Sequence, residues 1–550
     1  MANHRPFEKI QLSTAHLPTL LLFIGYPVYW LELYCPGNLR CPVFTWSWLL
    51  FIATALLASG GKSKEFLKYL RGIKNRLESL DLFTKSLLGV STAFILLTLS
   101  AIFYAYLLPP HLVQESDALT YHITIPKQHL MLHSFQHIRW STADLYYLPV
   151  DFALAPFWLA TTLPNKFPQF IFLLGLIGVA VKLVNYFSRK NFMSLCLIVM
   201  AIFASHNVGI QMGTAMLDIV MCYLLLAALD SFLKGSIFIG AIEFTFYFWS
   251  KSFLPLQTVL ILAFVMILWF MSRTLGVQEV TWGFAEGPET AISGDLRARF
   301  KKLFIFFAFL SLGVGGPFAL KSLYYAGTPF FPLAPGIAPI RQMDYDSLAW
   351  RSLTEKAQQS VSTRDQYGSG RSPVEFLKHL WLLAVPEKDV NNRYDYPVGL
   401  MYLLFVGPFF YMLWQTLRER KFPLLPMFIC VFWLIWWMGS QQSRFLFVPI
   451  MLMLIMVTSA IRTPSRVLMG VMTVGLVLVS LSVYRAHKQD LGRSGYDVLR
   501  EKDRVLIKMA TTVNRFPVIL DFPDAAFANF PVEVKTKDSV FVIDNASGGP

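Results

Sequence analysis

The sequence is short of charge and of cysteine, and each shortage narrows what it can be. Only 15% of its 550 residues are Asp, Glu, Lys or Arg, 55% are hydrophobic, and the mean hydropathy is +0.50. Soluble domains carry about 25% charged residues, so a water-soluble globular chain is excluded. The five cysteines show no zinc-like spacing. Cys196, Cys222 and Cys430 fall inside apolar runs and read as packing residues. Cys35 and Cys41 bracket PGNLR in a short loop, and form a candidate disulfide if that loop faces an oxidising compartment. Internal repeats and low-complexity tracts are lacking. The apolar run after MANHRPFEKIQ has no small-residue cleavage site and continues through Trp30 and Tyr34, which reads as a retained first helix rather than a signal peptide.

Acidic residues are also scarce, 34 against 48 basic, for a formal charge of +14 and a pI near 9.4. The basic residues lie in short clusters at the ends of apolar runs, not in one stripe with interleaved aromatics. That pattern orients a protein in a membrane and does not read as a nucleic-acid surface.

What the chain does have is a succession of apolar runs long enough to cross about 30 Å of hydrocarbon. They predict an all-α polytopic membrane protein with about thirteen transmembrane helices: 16–34, 44–60, 86–109, 167–187, 192–209, 214–233, 235–250, 254–272, 302–322, 398–415, 423–438, 445–461 and 467–484. With that count, the basic clusters at Arg5 and Lys9, at 62–76, at Arg189 and Lys190, at 297–302, at 418–421 and at Arg462 and Arg466 all fall on one side, which the positive-inside rule makes the cytoplasm. The segments 110–166 and 323–397 and the tail 485–550 then face outward, with the N-terminus inside. VILDFP and DSVFVID in the tail read as short strands of a small mixed unit. LPVDFALAPFWLATTL (148–163) is too short to span and is expected to lie as a helix on the outer interface, one of two surface helices in the 110–166 loop.

Chemistry enters at ESDALTYH, where Glu115 and Asp117 stand two residues apart, followed by Tyr121 and His122. In an extended loop that spacing puts both carboxylates on one face. Such a pair can share a divalent cation, or one acid can hold the other charged and basic; alone, it is more often two solvated loop acids. Other ionisable residues recur at the same boundary: Asp218 begins a helix, Lys251 joins two, and Arg444 lies in QQSRF between two more. The plain alternative for Lys251 and Arg444 is snorkelling at helix ends. Together the acids suit deprotonation of a hydroxyl and the cations suit a phosphate at the membrane surface. Glu243 lies within an apolar run and needs an interior partner, whereas Asp230, near a helix end, is expected to be solvated.

The order of these features, in ESDALTYHITIPKQHL, MLDIV, WSKSF, KSLYYAGTPFFPLAP and SRFLFVP, resembles the membrane glycosyltransferases of the GT-C fold, among them the dolichyl-phosphate-mannose-type and aminoarabinose-type transferases. The resemblance spans roughly 86–485, making 86–484 a catalytic core behind two extra N-terminal helices (1–85). It implies an enzyme of the bacterial inner membrane that moves a sugar from a polyprenyl-phosphate donor to a lipid, glycan or protein acceptor at the outer face. It implies Asp117 as base with Glu115 as its partner. Lys251 and Arg444 would face the donor phosphate, with Asp218, Tyr324 and Tyr325 about the pocket; beside them Tyr121 is a candidate pocket residue, and His122 is either an interfacial hydrogen-bonding residue or a further phosphate contact. No cofactor is required; a divalent cation, Mg or Mn, held by Glu115 and Asp117 is optional. In that family the acidic loop usually follows the first helix, whereas here it follows the third. The competing expectations are an O-antigen polymerase or ligase, relying on basic residues of a late outer loop, and a transporter of polyprenyl lipids or small molecules, relying on midplane ionisable groups.

Overall fold

A helix that is apolar all round has no aqueous face, so it must be buried in protein or turned to lipid. Both outcomes occur in the computed structural model, which describes residues 14–34, 42–59, 72–107, 117–138, 142–160, 165–188, 191–274, 276–277, 279–283, 294–331, 368, 370–385, 394, 397–461 and 463–493. Its principal helices are α1 (Leu17–Tyr34), α2 (Pro42–Ser59), α3 (Leu82–Leu107), α4 (Thr124–Leu132), α5 (Pro149–Trp158), α6 (Phe167–Phe187), α7 (Phe192–Phe203), α8 (His206–Gln211), α9 (Asp218–Leu233), α10 (Ile237–Trp249), α11 (Leu254–Thr274), α12 (Gly294–Val314), α13 (Gly316–Ala326), α14 (Pro373–Leu382), α15 (Leu403–Arg418), α16 (Leu424–Met438), α17 (Phe447–Ala460) and α18 (Arg466–Arg493). α17 runs through the middle of the bundle, every side chain from Phe447 to Ser459 buried among α6, α7, α9, α15 and α16. α11 and α12 instead leave Phe264, Ile267, Phe270, Phe304 and Phe309 uncovered, a belt that only hydrocarbon would tolerate.

Among the described residues, seven helices are long and apolar enough to cross a membrane, or eight if the bent pair α12–α13 is one span; α7, α10, α16 and Trp46–Leu56 are apolar but shorter. The chain is therefore an α-helical polytopic membrane protein.

Several expectations are corrected. The 148–163 helix does not lie on a surface: all ten residues of α5 are buried, against α1, α2, α6 and α10. Val150, Leu154, Phe157 and Trp158 fall on one face, but Phe152, Ala155 and Pro156 make the opposite face apolar and buried as well, so an interfacial position would turn that second apolar face to water. α4 is likewise buried from Thr124 to Leu130, so neither helix of this loop is a surface helix. The run at 302–322 is also not one straight helix. It breaks at Gly315 and turns by 53°. Pro317 lacks the N–H that would bond the carbonyl of Gly313, and the Tyr26 hydroxyl on α1 donates to the carbonyls of Gly313 and Val314 instead, at 3.0 Å each. Gly315 has no room for a side chain, since a Cβ would fall 2.1 Å from the Trp249 ring.

The only strands among the described residues are β1 (Glu279–Thr281) and β2 (Lys421–Pro423), paired in parallel with Val280 opposite Phe422. The expected strands of the tail lie outside the described residues, as do Cys35 and Cys41. α18 continues to Arg493, past the expected start of the tail at 485. In the 323–397 segment α14 forms a helix capped by the Ser372 hydroxyl, which accepts from the Glu375 N–H at 3.3 Å.

Asp230 is not solvated but 1% exposed. The His16 ring touches Asp230 Oδ2 through Nε2 at 2.9 Å and Glu243 Oε1 through Nδ1 at 2.7 Å. Thr19 and Ser231 donate their hydroxyls to Glu243, and Lys234 donates to Asp230. The partner that Glu243 requires is therefore an N-terminal histidine at the far end of the bundle from Asp117.

Candidate functional site

Asp117 opens a single π-helical turn, Ala118–His122, closed by the Ile123 N–H on the Ala118 carbonyl at 3.1 Å. Such turns recur at functional sites because they shift side chains out of the ordinary helical register. Here the shift puts Asp117 and His122 on separate partners. Asp117 Oδ2 accepts from Arg444 Nη1 at 2.7 Å, and His122 Nδ1 lies 2.8 Å from Asp151 Oδ1 on α5. Asp117 remains a quarter exposed, Arg444 13% and Asp151 not at all.

Arg444 and Phe445 sit on a 3-10 turn, Ser443–Leu446, between α16 and α17. Its backbone is pinned on every side. Ser443 N–H donates to the Tyr394 carbonyl, Asn207 donates to the Ser443 carbonyl, and Trp436 Nε1 donates to the Gln442 carbonyl, at 2.7–3.1 Å. Arg444 Nε also reaches Gln442 Oε1 at 3.1 Å. A guanidinium so held is pre-organised.

Lys251, in the turn between α10 and α11, donates to Asp218 Oδ1 at 3.1 Å. Asp218 is the first residue of α9, where the helix dipole favours a carboxylate. The turn is fixed to the 142–160 segment by the Tyr147 N–H on the Ser252 hydroxyl at 3.0 Å. One ring ties the two cations together: Lys251 Nζ lies 5.0 Å and Arg444 Cζ 5.3 Å from the Phe445 centroid. Asp218, Gln257, Arg444 and Phe445 line a cleft there of about 20 Å³, enough for about one water.

Burial pushes the Asp117 carboxyl up, but Arg444, His122 and Lys251 outweigh it and hold it below the ordinary carboxylate range. Burial raises Asp151, opposed by His122 and more weakly by Lys251. Asp117 is thus an ionised carboxylate wedged among cations. Among the described residues the second oxygens of Asp151 and Asp218 are buried with no hydrogen-bond partner, an expensive condition unless another group serves them.

The structure gathers Asp117, Tyr121, His122, Asp218, Lys251 and Arg444 at one end of the bundle, as the sequence places them. Tyr324 and Tyr325, on α13, stand further off. Tyr325 packs with Leu145, Tyr146 and Phe331, and Tyr146 meets the Tyr121 ring edge-on at 5.9 Å. Glu115 lies outside the described residues. Among the described residues no group of three His, Cys, Asp or Glu side chains is placed for a metal ion.

Sequence reasoning missed an adjacent network centred on Asp144. Its carboxylate meets Lys321 Nζ and His129 Nε2 at 2.5 Å each, His137 Nδ1 at 3.0 Å and the Ile138 N–H at 2.7 Å. Lys321 and His129 hold Asp144 well below the usual carboxylate range against the effect of burial. The network fastens α4 and the 142–160 segment to α13. Its signal was present in the sequence, since Lys321 falls inside an apolar run, and such a residue requires a partner. Compared with family models, with curated proteins and with solved structures, the chain finds a match in none of the three.

Proposed function

We propose that the protein is a membrane transferase that moves a sugar from a polyprenyl-phosphate donor to an acceptor hydroxyl or amine, with the Asp117 end facing the outside of a bacterial inner membrane. The observation that carries this reading is the placing of one ionised, partly exposed carboxylate, Asp117, beside two cations, Arg444 and Lys251, that share the Phe445 ring. Asp117 takes the acceptor proton as the acceptor attacks the anomeric carbon. The bond from that carbon to the phosphate oxygen breaks, and the lipid phosphate leaves with its charge met by Lys251 and Arg444. Arg444 keeps Asp117 deprotonated, and His122 is held by Asp151 within reach of the same charges. A divalent cation on Asp117 and Glu115 remains an optional part of the reading.

The test is transfer or hydrolysis of labelled polyprenyl-phosphate sugars by purified protein in lipid, with Asp117→Asn alongside. Loss of a general base lowers turnover by about 10²- to 10⁴-fold while donor binding persists. Equal turnover in both proteins would remove Asp117 from the chemistry. A second reading, a transporter, draws on the buried His16–Asp230–Glu243 group, since ionisable clusters inside a bundle often mark ion paths. Substrate flux that survives Asp117→Asn and fails with Glu243→Gln would favour it.

A further inference from the structure

Towards the opposite end from Asp117 the bundle contains a larger cavity, about 670 Å³, within the roughly 300–1,000 Å³ of small-molecule sites. Leu225 and Leu229 of α9, Val265 and Trp269 of α11, and Phe300 and Leu303 of α12 contribute to its walls. Leu262, Met266 and Phe300 line it while remaining about half exposed, so the chamber opens sideways between α11 and α12, through the same uncovered apolar belt described above. In a bilayer that opening meets hydrocarbon, not water.

The lining changes character at the far edge. Arg273 and Glu279 are its charged members, joined by Trp282, and the β1–β2 pair closes it with Val280 and Phe422. The Arg273 guanidinium stands 5.0 Å over Trp269, and the adjoining Arg418 stands 5.4 Å over Trp414. Lys421, opposite Glu279 in the strand register, is paired with Glu419 at 2.9 Å, which leaves Arg273 as the cation of the lining. Tryptophan beside arginine at the rim of an apolar span is the composition of a membrane–water interface, and a guanidinium there is suited to a lipid phosphate.

We infer that this chamber is a binding site for one acyl chain of a phospholipid, taken from the leaflet opposite the Asp117 end, with the lipid phosphate on Arg273 and the chain lying among α9, α11 and α12. An isoprenoid chain descending from the Asp117 end is the competing occupant. It shares helices with the chamber, since Met221 and Leu225, one turn apart on α9, line the upper cleft and the chamber respectively. The charged rim and the lateral opening lie at the other end, and this favours the phospholipid.

The experiment uses the full chain in nanodiscs, with two probes: a phospholipid carrying a diazirine at the end of one acyl chain, and an isoprenyl phosphate carrying one on its terminal unit. Cross-linked peptides are mapped by mass spectrometry. Phospholipid adducts are expected on the chamber-facing residues of α9, α11 and α12. Leu229→Trp removes room for two or more methylenes and lowers those adducts about tenfold. Arg273→Gln lowers them about fivefold through loss of a charge-assisted bond to phosphate. Val265→Phe, which adds less bulk, repeats the test should Leu229→Trp fail to elute as a folded monodisperse protein. Two outcomes overturn the inference: phospholipid adducts confined to the outer faces of α11 and α12 and indifferent to the filling variants, or chamber adducts from the isoprenyl probe alone.

Discussion

At the His16 end of the bundle, Glu243 and Asp230 are answered group for group by an imidazole, two hydroxyls and a lysine. At the Asp117 end, Asp117 and Asp218 each have one cation within ion-pair distance among the described residues, but an oxygen of Asp218 and one of Asp151 are buried there with neither a hydrogen bond nor an ion pair. Both ends place carboxylates where burial is costly, but at the His16 end the one carboxylate oxygen that takes no hydrogen bond, Asp230 Oδ1, still has Lys234 Nζ at 2.6 Å. A closed network is what a structural clasp needs. Unsatisfied oxygens beside partly exposed cations are what a site awaiting a ligand would have. The Asp144 network resembles the His16 end in this respect although it adjoins Asp117. The contrast is therefore one of saturation and not of depth along the bundle.

That contrast can be broken by substitution. Lys321→Met leaves Asp144 buried with its principal cation gone, and the expected loss is about 3–5 kcal/mol of stability, read as a falling midpoint of thermal unfolding in detergent. A change below about 1 kcal/mol would mean that the two histidines suffice. Arg444→Gln should act in the opposite manner: turnover of the donor falls by about 10²- to 10³-fold, while the unfolding midpoint moves little because Asp117 can reach water. A large loss of stability with unchanged turnover would reassign Arg444 to the clasps.

The smallest of the three effects is one of pH. Burial alone would lower the His16 pKa, but hydrogen bonds to Asp230 and Glu243 raise it from 6.5 to about 9. A raised folded-state pKa contributes stability that is fully present below pH 6.5 and is lost as pH rises through about 9. The midpoint should thus decline between pH 7 and 9.5 by an amount equivalent to about 2–3 kcal/mol, and His16→Gln should flatten that slope. An unchanged slope in the variant would show that His16 is not the group responsible.

Much of this was legible in the sequence, because hydrocarbon thickness sets helix length and apolar runs are its direct imprint. The gathering of Asp117, Lys251, Asp218 and Arg444 was legible for the related reason that charge at a membrane boundary needs a purpose or a partner. What stayed hidden were long-range pairings. Nothing local in TAHLPT announces that His16 meets Glu243, 227 residues on, and nothing in LPVDFALAP says whether a short apolar helix lies on a bilayer or within a protein. α5 is decided by what its neighbours leave open. The break at Gly315 was half visible, as Gly-Gly-Pro, but its acceptor pairing with Tyr26 was not.

That pairing bears on how the chain is made. Tyr26 belongs to the first helix of the described chain, and the carbonyls it serves are released some 290 residues later in translation. Bare carbonyls in hydrocarbon cost several kcal/mol each, so the α12–α13 segment cannot settle into its bent form on its own merits as it leaves the ribosome. It must find an early helix already waiting in the membrane with a side face still uncovered. The order of synthesis supplies the keystone before the arch, and a nascent chain stripped of its first helix would deliver the later one straight, or not at all.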